Sequence, residues 1–364
     1  MFRQALLAGA ASLLALAGPA AAQQTLTVAT VNNGDMIRMQ GLTQEFTAQH
    51  PDIQVNWVTL EENVLRQRVT TDIATKGGQF DVMTIGTYEV PIWAKNQWLL
   101  PLNNLGADYD VDDILPPIRE ALSQDGTLYA APFYAESAMT LYRKDLFEAA
   151  GLTMPEAPTW QFIAEAAEKI KASNPDVYGI CLRGKPGWGE NMAFLGSMAR
   201  AFGADYFDAN WQPQFESEGW KTAVAMYVDL MTKYGPPGAA SNGFNENLSL
   251  FNQGRCAMWM DATVAASFVT NPKESQVADK VGFAPFPCGI ENCPNNGANW
   301  LWAWSLAIPA GSQKAEAAET FISWATSKAY LDLVAQKEGW ANVPPGTRTS
   351  LYENSEYTLS LIHI

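Results

Sequence analysis

The chain has 364 residues, enough for two domains that each bury a core. With 48% hydrophobic and 17% charged residues it has an ordinary globular composition, which excludes a disordered chain, a coiled coil and a collagen-like repeat. A formal net charge of −15 makes nucleic acid and anionic membranes poor partners, while 13 tryptophans supply flat apolar faces of the kind that stack on sugars.

In chain order, Met1 to Gln4 is a short basic start, residues 5–18 are an apolar run of Ala and Leu, and Pro19-Ala20-Ala21-Ala22 closes it with small residues. This pattern predicts a secretory signal peptide (1–22) cleaved before Gln23, hence a soluble periplasmic protein. Residues 25–30 alternate and are β-rich, a first strand. Asn32-Asn33-Gly34-Asp35 is a turn, followed by a helix over 36–50, a strand over 53–60, a helix over 63–76 and a strand over 80–85. That order predicts a mostly parallel α/β sheet. Ligands in such sheets bind at the carboxyl ends of the strands, so 32–35, 61–63 and 86–89 are the candidate loops. Strand-like segments recur at 128–133, 139–142, 177–182, 256–260 and 300–308. Helices are predicted over 161–171, 191–202, 219–233 and 315–325. The later segments predict a second α/β unit repeating the first.

Export permits disulfides. Four cysteines allow three pairings. Cys288 and Cys293 would pin a short loop, leaving Cys181 with Cys256. The only histidines, His50 and His363, are remote from the cysteines, so neither a metal nor another cofactor is expected. Asp108 to Asp113 lacks the glycine and the glutamate of an EF-hand loop and reads instead as an acidic helix start. No G-x-S-x-G, H-E-x-x-H or phosphate-loop motif is present.

Four segments, in order, resemble the family 1 extracellular solute-binding proteins, the receptors of bacterial ABC sugar importers. They are Phe80-Asp81-Val82-Met83 with Trp98-Leu99-Leu100-Pro101-Leu102; Leu141-Tyr142-Arg143-Lys144-Asp145-Leu146-Phe147 leading to Pro158-Thr159-Trp160; Phe251-Asn252-Gln253-Gly254-Arg255-Cys256-Ala257-Met258; and Leu306-Ala307-Ile308-Pro309 with Phe321-Ile322 and Trp324. Within the family, Arg183-Gly184-Lys185-Pro186-Gly187-Trp188-Gly189-Glu190-Asn191, Asp261-Ala262-Thr263 and the 339–348 stretch are similar to the sorbitol/mannitol receptors. The resemblance implies a type II-like periplasmic binding protein with two α/β lobes around one cleft. Lobe 1 would comprise 23–134 plus 306–358 and lobe 2 residues 135–305, with hinge crossings near 134–136 and 304–307. It also implies a monomeric receptor that closes on a polyol or sugar and docks on an ABC membrane permease. Leu359 to Ile364 looks like a translated sequencing adapter, so the natural protein is expected to continue past Thr358.

A polyol is a row of hydroxyls, each both donor and acceptor, on a carbon chain. Its receptor needs polar heads beside a flat apolar wall. Arg183, Trp188 and Glu190 offer that combination in one loop. Trp259 and Asp261 leave the 256–260 strand at its carboxyl end. Trp300, Trp302 and Trp304 share one strand face, more typical of a core than of a site, with Trp300 at the loop end as the cleft candidate. Asn32, Asn33, Glu61, Tyr88, Tyr134 and Glu136 complete the set from loop and hinge positions. The rival reading is a secreted glycosidase, which would also use tryptophans and paired carboxylates. Glu61-Glu62 and Asp112-Asp113 are sequence neighbours and do not by themselves flank a bond.

Overall fold

The computed structural model describes residues 23–289 and 299–360. The predicted leader and Cys293, and with it the Cys288–Cys293 pairing, lie outside the described residues. β1 (Gln24–Val31) runs between β2 (Ile53–Leu60) and β3 (Val82–Gly86), parallel to both. The crossovers are α1 (Gly34–Gln49) and α2 (Glu62–Thr75). α1 starts where the sequence turn ends: Asn33 caps it, its Oδ1 accepting the Met36 N–H at 2.9 Å. The helix then buries Met36, Met39 and Phe46 against the sheet. β3 is buried on both faces, and its one polar side chain, Thr84, is satisfied by the Thr30 hydroxyl at 3.0 Å.

Beyond β3 the sheet departs from the parallel expectation. After a two-stranded hairpin of β4 (Ser123–Gln124) and β5 (Thr127–Leu128), β6 (Ala130–Glu136) enters the sheet. β10 (Trp302–Ala307) lies between β3 and β6, antiparallel to both, giving the order β2-β1-β3-β10-β6. Because β10 is paired along its whole length, the first sheet begins at Trp302, earlier than the predicted boundary at 306. The second sheet has β7 (Ala138–Arg143) between β8 (Met258–Ala262) and β9 (Val281–Pro285), antiparallel throughout. It does not repeat the first unit. Period-two hydrophobicity identifies a strand but carries no information on the direction of its neighbours.

The predicted strand over 177–182 forms only single bridges, Tyr178 to Cys256 and Cys181 to Trp259. The Gly179 and Ile180 N–H groups both turn to the Tyr234 carbonyl, which interrupts a continuous ladder. Cys181 and Cys256 are joined in a buried disulfide here. Asp113 does not open a helix. The helix begins at Pro116, and Asp113 instead binds the Ser350 hydroxyl at 2.7 Å and pairs with Lys328 and Arg348.

Between the two sheets the chain is gathered at one point. Ser137, the single residue between β6 and β7, accepts the Thr263 N–H at 2.8 Å through its carbonyl. Its own N–H donates to Thr263 Oγ1 at 3.1 Å, and its hydroxyl donates to the Trp300 carbonyl at 2.8 Å. The junction is therefore Ser137, Thr263 and Trp300; the predicted crossing at 304–307 lies inside the first sheet. One core underlies the five-stranded sheet, and two smaller clusters pack on the three-stranded one.

Candidate functional site

A cavity of about 1030 Å³ opens between the two sheets. Parallel pairing of β1, β2 and β3 brings their carboxyl ends to one edge. Asn32, Asn33, Glu61 and Tyr88 therefore line the cavity from three separate loops. Tyr134, Glu136 and Trp300 line it at the junction, and Arg183, Trp188 and Glu190 from the 183–191 loop opposite. Asn33 Nδ2 donates to the Tyr134 hydroxyl at 3.0 Å, locking two of these groups together.

Trp259 and Asp261 are not on the wall. Both are fully buried, Trp259 packing against Phe244 and Phe251. Asp261 stands behind Arg183 and holds it. Its Oδ1 accepts Arg183 Nη2 at 2.6 Å and the Ala262 N–H at 2.7 Å; its Oδ2 accepts Arg183 Nε at 3.0 Å and Trp259 Nε1 at 2.9 Å. Asp261 lies behind the wall with no exposed surface, where a carboxylate needs a full set of donors. Arg183 also donates to the Gly189 carbonyl at 2.9 Å and pairs with Glu190 at 3.4 Å. Burial opposes the Arg183 charge, yet Asp261 more than offsets this and holds its pKa above the usual value.

The tryptophan stripe lines the cavity as a whole, with Trp302 and Trp304 beside Trp300. What turns it from core to wall is Arg66, absent from the sequence candidates. Its guanidinium lies 4.0 Å from the Trp188 ring centre, 4.9 Å from Trp302 and 4.8 Å from Trp304. It is also paired with Glu62 at 2.8 Å and Glu89 at 2.6 Å. Trp188 thus leaves the second lobe to enter a socket formed by Arg66, Tyr88 and Trp302 of the first. Gly86 admits the Trp302 ring where any side chain would collide with it. The one signal in the sequence was the Glu62–Arg66 spacing of four on a helix, common on solvated faces.

The lobes also meet at Lys185–Glu61 (2.5 Å), at Asn63 Nδ2 to the Pro186 carbonyl (3.2 Å) and at Asn245 Nδ2 to the Asn32 carbonyl (2.9 Å). Several carboxyls titrate abnormally. Burial, opposed by Arg38, raises Asp35 to about 6. Burial, opposed by Arg183 and aided by Glu62, raises Glu190 to about 7. Glu136 is raised to about 8 by burial, with Asp261, Glu62 and Asp35 adding to the effect and Arg183 opposing it. Among the described residues no group of three His, Cys, Asp or Glu could hold a metal ion.

The profile of the family described as Bacterial extracellular solute-binding protein matches residues 33–331. The chain belongs to this family. It is a receptor and not an enzyme, which sets aside the glycosidase alternative; it belongs to an extracellular family, and its partners are a small-molecule ligand and an ABC transporter permease. A mannitol-binding protein of Pseudomonas aeruginosa is 58% identical to this receptor over 346 residues, covering 95% of the chain and 79% of that protein. The structure of an ABC transporter solute-binding protein from Agrobacterium vitis with bound D-mannitol is 68% identical, with a TM-score of 0.89, over 92% of this chain and 80% of that one. A receptor from Agrobacterium radiobacter in complex with ribitol is 26% identical, with a TM-score of 0.82, over 93% of this chain and 84% of that one.

Proposed function

We propose that this receptor is periplasmic, binds a hexitol such as D-mannitol or D-sorbitol between its lobes, and presents it to an ABC importer. The observation that carries the reading is the character of the cavity wall. Aromatic faces stand beside carboxylate–cation pairs, so carbon–hydrogen edges and hydroxyls are both served without any net charge being required of the ligand. The 68% identical structure holding D-mannitol and the 58% identical mannitol-binding protein support the same class.

In this reading Arg183, Glu190, Glu61, Asn32, Asn33, Tyr134 and Glu136 meet hydroxyls. Trp188, Tyr88 and Trp300, joined by Trp302, cover the carbon chain, while Asp261 and Trp259 position Arg183. The lobes swing about Ser137, Thr263 and Trp300 and are latched by Glu61–Lys185 and by Trp188 in its socket. The receptor works as a monomer without cofactor, metal or nucleic acid, after cleavage behind Ala22.

Titration calorimetry with D-mannitol, D-sorbitol, arabitol, glucose and maltose tests this. One-to-one binding of a hexitol in preference to glucose and maltose is the expected result. Hexitol binding no tighter than that of the cyclic sugars would refute the polyol class. Mass spectrometry of the exported protein checks that it starts at Gln23.

A further inference from the structure

Most carboxyl groups around the cavity face a cation. Asp35 has Arg38 at 2.6 Å, Glu61 has Lys185 at 2.5 Å, Glu62 has Arg66 at 2.8 Å, and Glu190 has Arg183 at 3.4 Å. Glu246 is satisfied by the Gly243 N–H at 2.8 Å. Glu136 is different. Its Oε2 is buried without a hydrogen-bond partner, and it makes no ion pair among the described residues. Yet it sits at the last position of β6, one residue from the junction, on the cavity wall.

A buried, ionised carboxylate with no partner is among the most costly arrangements a fold can hold. The groups that bear on Glu136 do not relieve it. Asp261 on β8, Glu62 on α2 and Asp35 on α1 repel a negative charge, and only Arg183 from the 183–191 loop attracts one. Arg183 is already committed to Asp261 through three hydrogen bonds. The neighbouring Tyr134 is held in its neutral phenol form by burial, with Asp35 and Glu62 adding to the effect. A carboxyl in this position keeps its proton, and a protonated carboxyl is a donor as well as an acceptor.

We propose that Glu136 recognises the ligand as a neutral carboxylic acid, donating its proton to one ligand hydroxyl oxygen and accepting from a hydroxyl through its carbonyl oxygen. The inference rests on the polyol reading above. It makes Glu136 a specificity residue for uncharged, hydroxyl-bearing ligands and couples their capture to pH. Raising the pH through the titration of Glu136 removes the donor and leaves a charge with one oxygen, Oε2, buried and unpartnered, repelled by three other carboxyls. Affinity is therefore highest below that titration and falls above it.

The test is calorimetry with D-mannitol between pH 6 and 9.5 on the full chain, Glu136→Ala and Glu136→Gln. Glu136→Ala is expected to weaken binding at pH 6.5 tenfold or more. Glu136→Gln, which keeps a donor and an acceptor, is expected to recover most of that loss and to remove the fall in affinity above pH 8, where Glu190, raised to about 7, is already largely ionised. The unsubstituted receptor is expected to weaken tenfold or more toward pH 9.5. A Glu136→Gln variant as weak as Glu136→Ala, or an unsubstituted receptor whose affinity is flat or rises with pH, would overturn the proposal.

A second readout stands apart from folding of the variants and from the identity of the ligand. The ¹³C shift of the Glu136 carboxyl carbon in the unliganded receptor reports its protonation directly, and an ionised carboxyl at pH 7 overturns the inference. A receptor that ignores D-mannitol at pH 6.5 while Glu136 is protonated would instead refute the polyol reading.

Discussion

Replacing Asp261 by Ala removes the group that holds Arg183 in the cavity wall. Asp261 is fully buried and accepts from two Arg183 nitrogens, from Trp259 Nε1 and from the Ala262 N–H. In the variant Arg183 keeps only the Gly189 carbonyl and the longer contact to Glu190, so a buried guanidinium loses its principal counter-charge. Breaking a buried pair from one side costs about 3–5 kcal/mol, and the stranded Trp259 and Ala262 donors add to it. That is a large share of a net stability of about 5–15 kcal/mol. At about 2–4 °C per kcal/mol for units of this size, the melting temperature should fall by roughly 10 °C.

The assay is thermal unfolding by circular dichroism at pH 7, beside Arg183→Met and the double variant. Because removing both charges leaves none buried alone, the double variant should be more stable than the sum of the single losses implies. A melting temperature within about 2 °C of the parent for Asp261→Ala, or strictly additive losses, would refute the reasoning that Arg183 depends on this carboxylate.

Trp188→Ala should weaken hexitol binding by about 1–3 kcal/mol, tenfold or more in Kd, since the ring both covers the cavity and stacks on Arg66 across the lobes; unchanged affinity in a folded variant would remove Trp188 from the site. Glu136 titrates near 8 in the fold against 4.5 in an unfolded chain. The folded state therefore binds the extra proton between those values, and stability drains away as pH rises from 4.5 to 8. Glu136→Gln lacks that loss, so its melting temperature relative to the parent should climb over this interval and level off above it; a constant difference contradicts the assignment. The Cys181–Cys256 bridge links residues 75 apart, and chain-entropy arguments assign such a closure about 4 kcal/mol. Reduction should lower the melting temperature clearly, and indifference to reductant would show that the bridge does not stabilise the fold.

Local signals in the sequence determined much of this protein. The alternation of 25–30, the turn at 32–35 and the helix and strand patterns that follow it suffice to place β1, α1 and β2, because each depends only on neighbours along the chain. The strand–helix order then points to the edge where Asn32, Glu61 and Tyr88 converge, since that rule concerns connectivity. Four family motifs in order carried the receptor class.

Tertiary structure decided the rest. The direction of β10 between β3 and β6 is settled by pairing over sequence separations that no local pattern encodes. Trp259 and Trp302 look alike in sequence, both in apolar strand segments. One is sealed by Phe244 and Phe251, and the other faces Arg66 from a distant helix. Arg66 itself reads as half of an ordinary helical ion pair until the fold brings Trp188 onto it. The charges that act on Glu136 come from Asp35, Glu62, Arg183 and Asp261, four residues scattered over more than two hundred positions. Electrostatics depends on distance in space, and only the folded chain sets that distance.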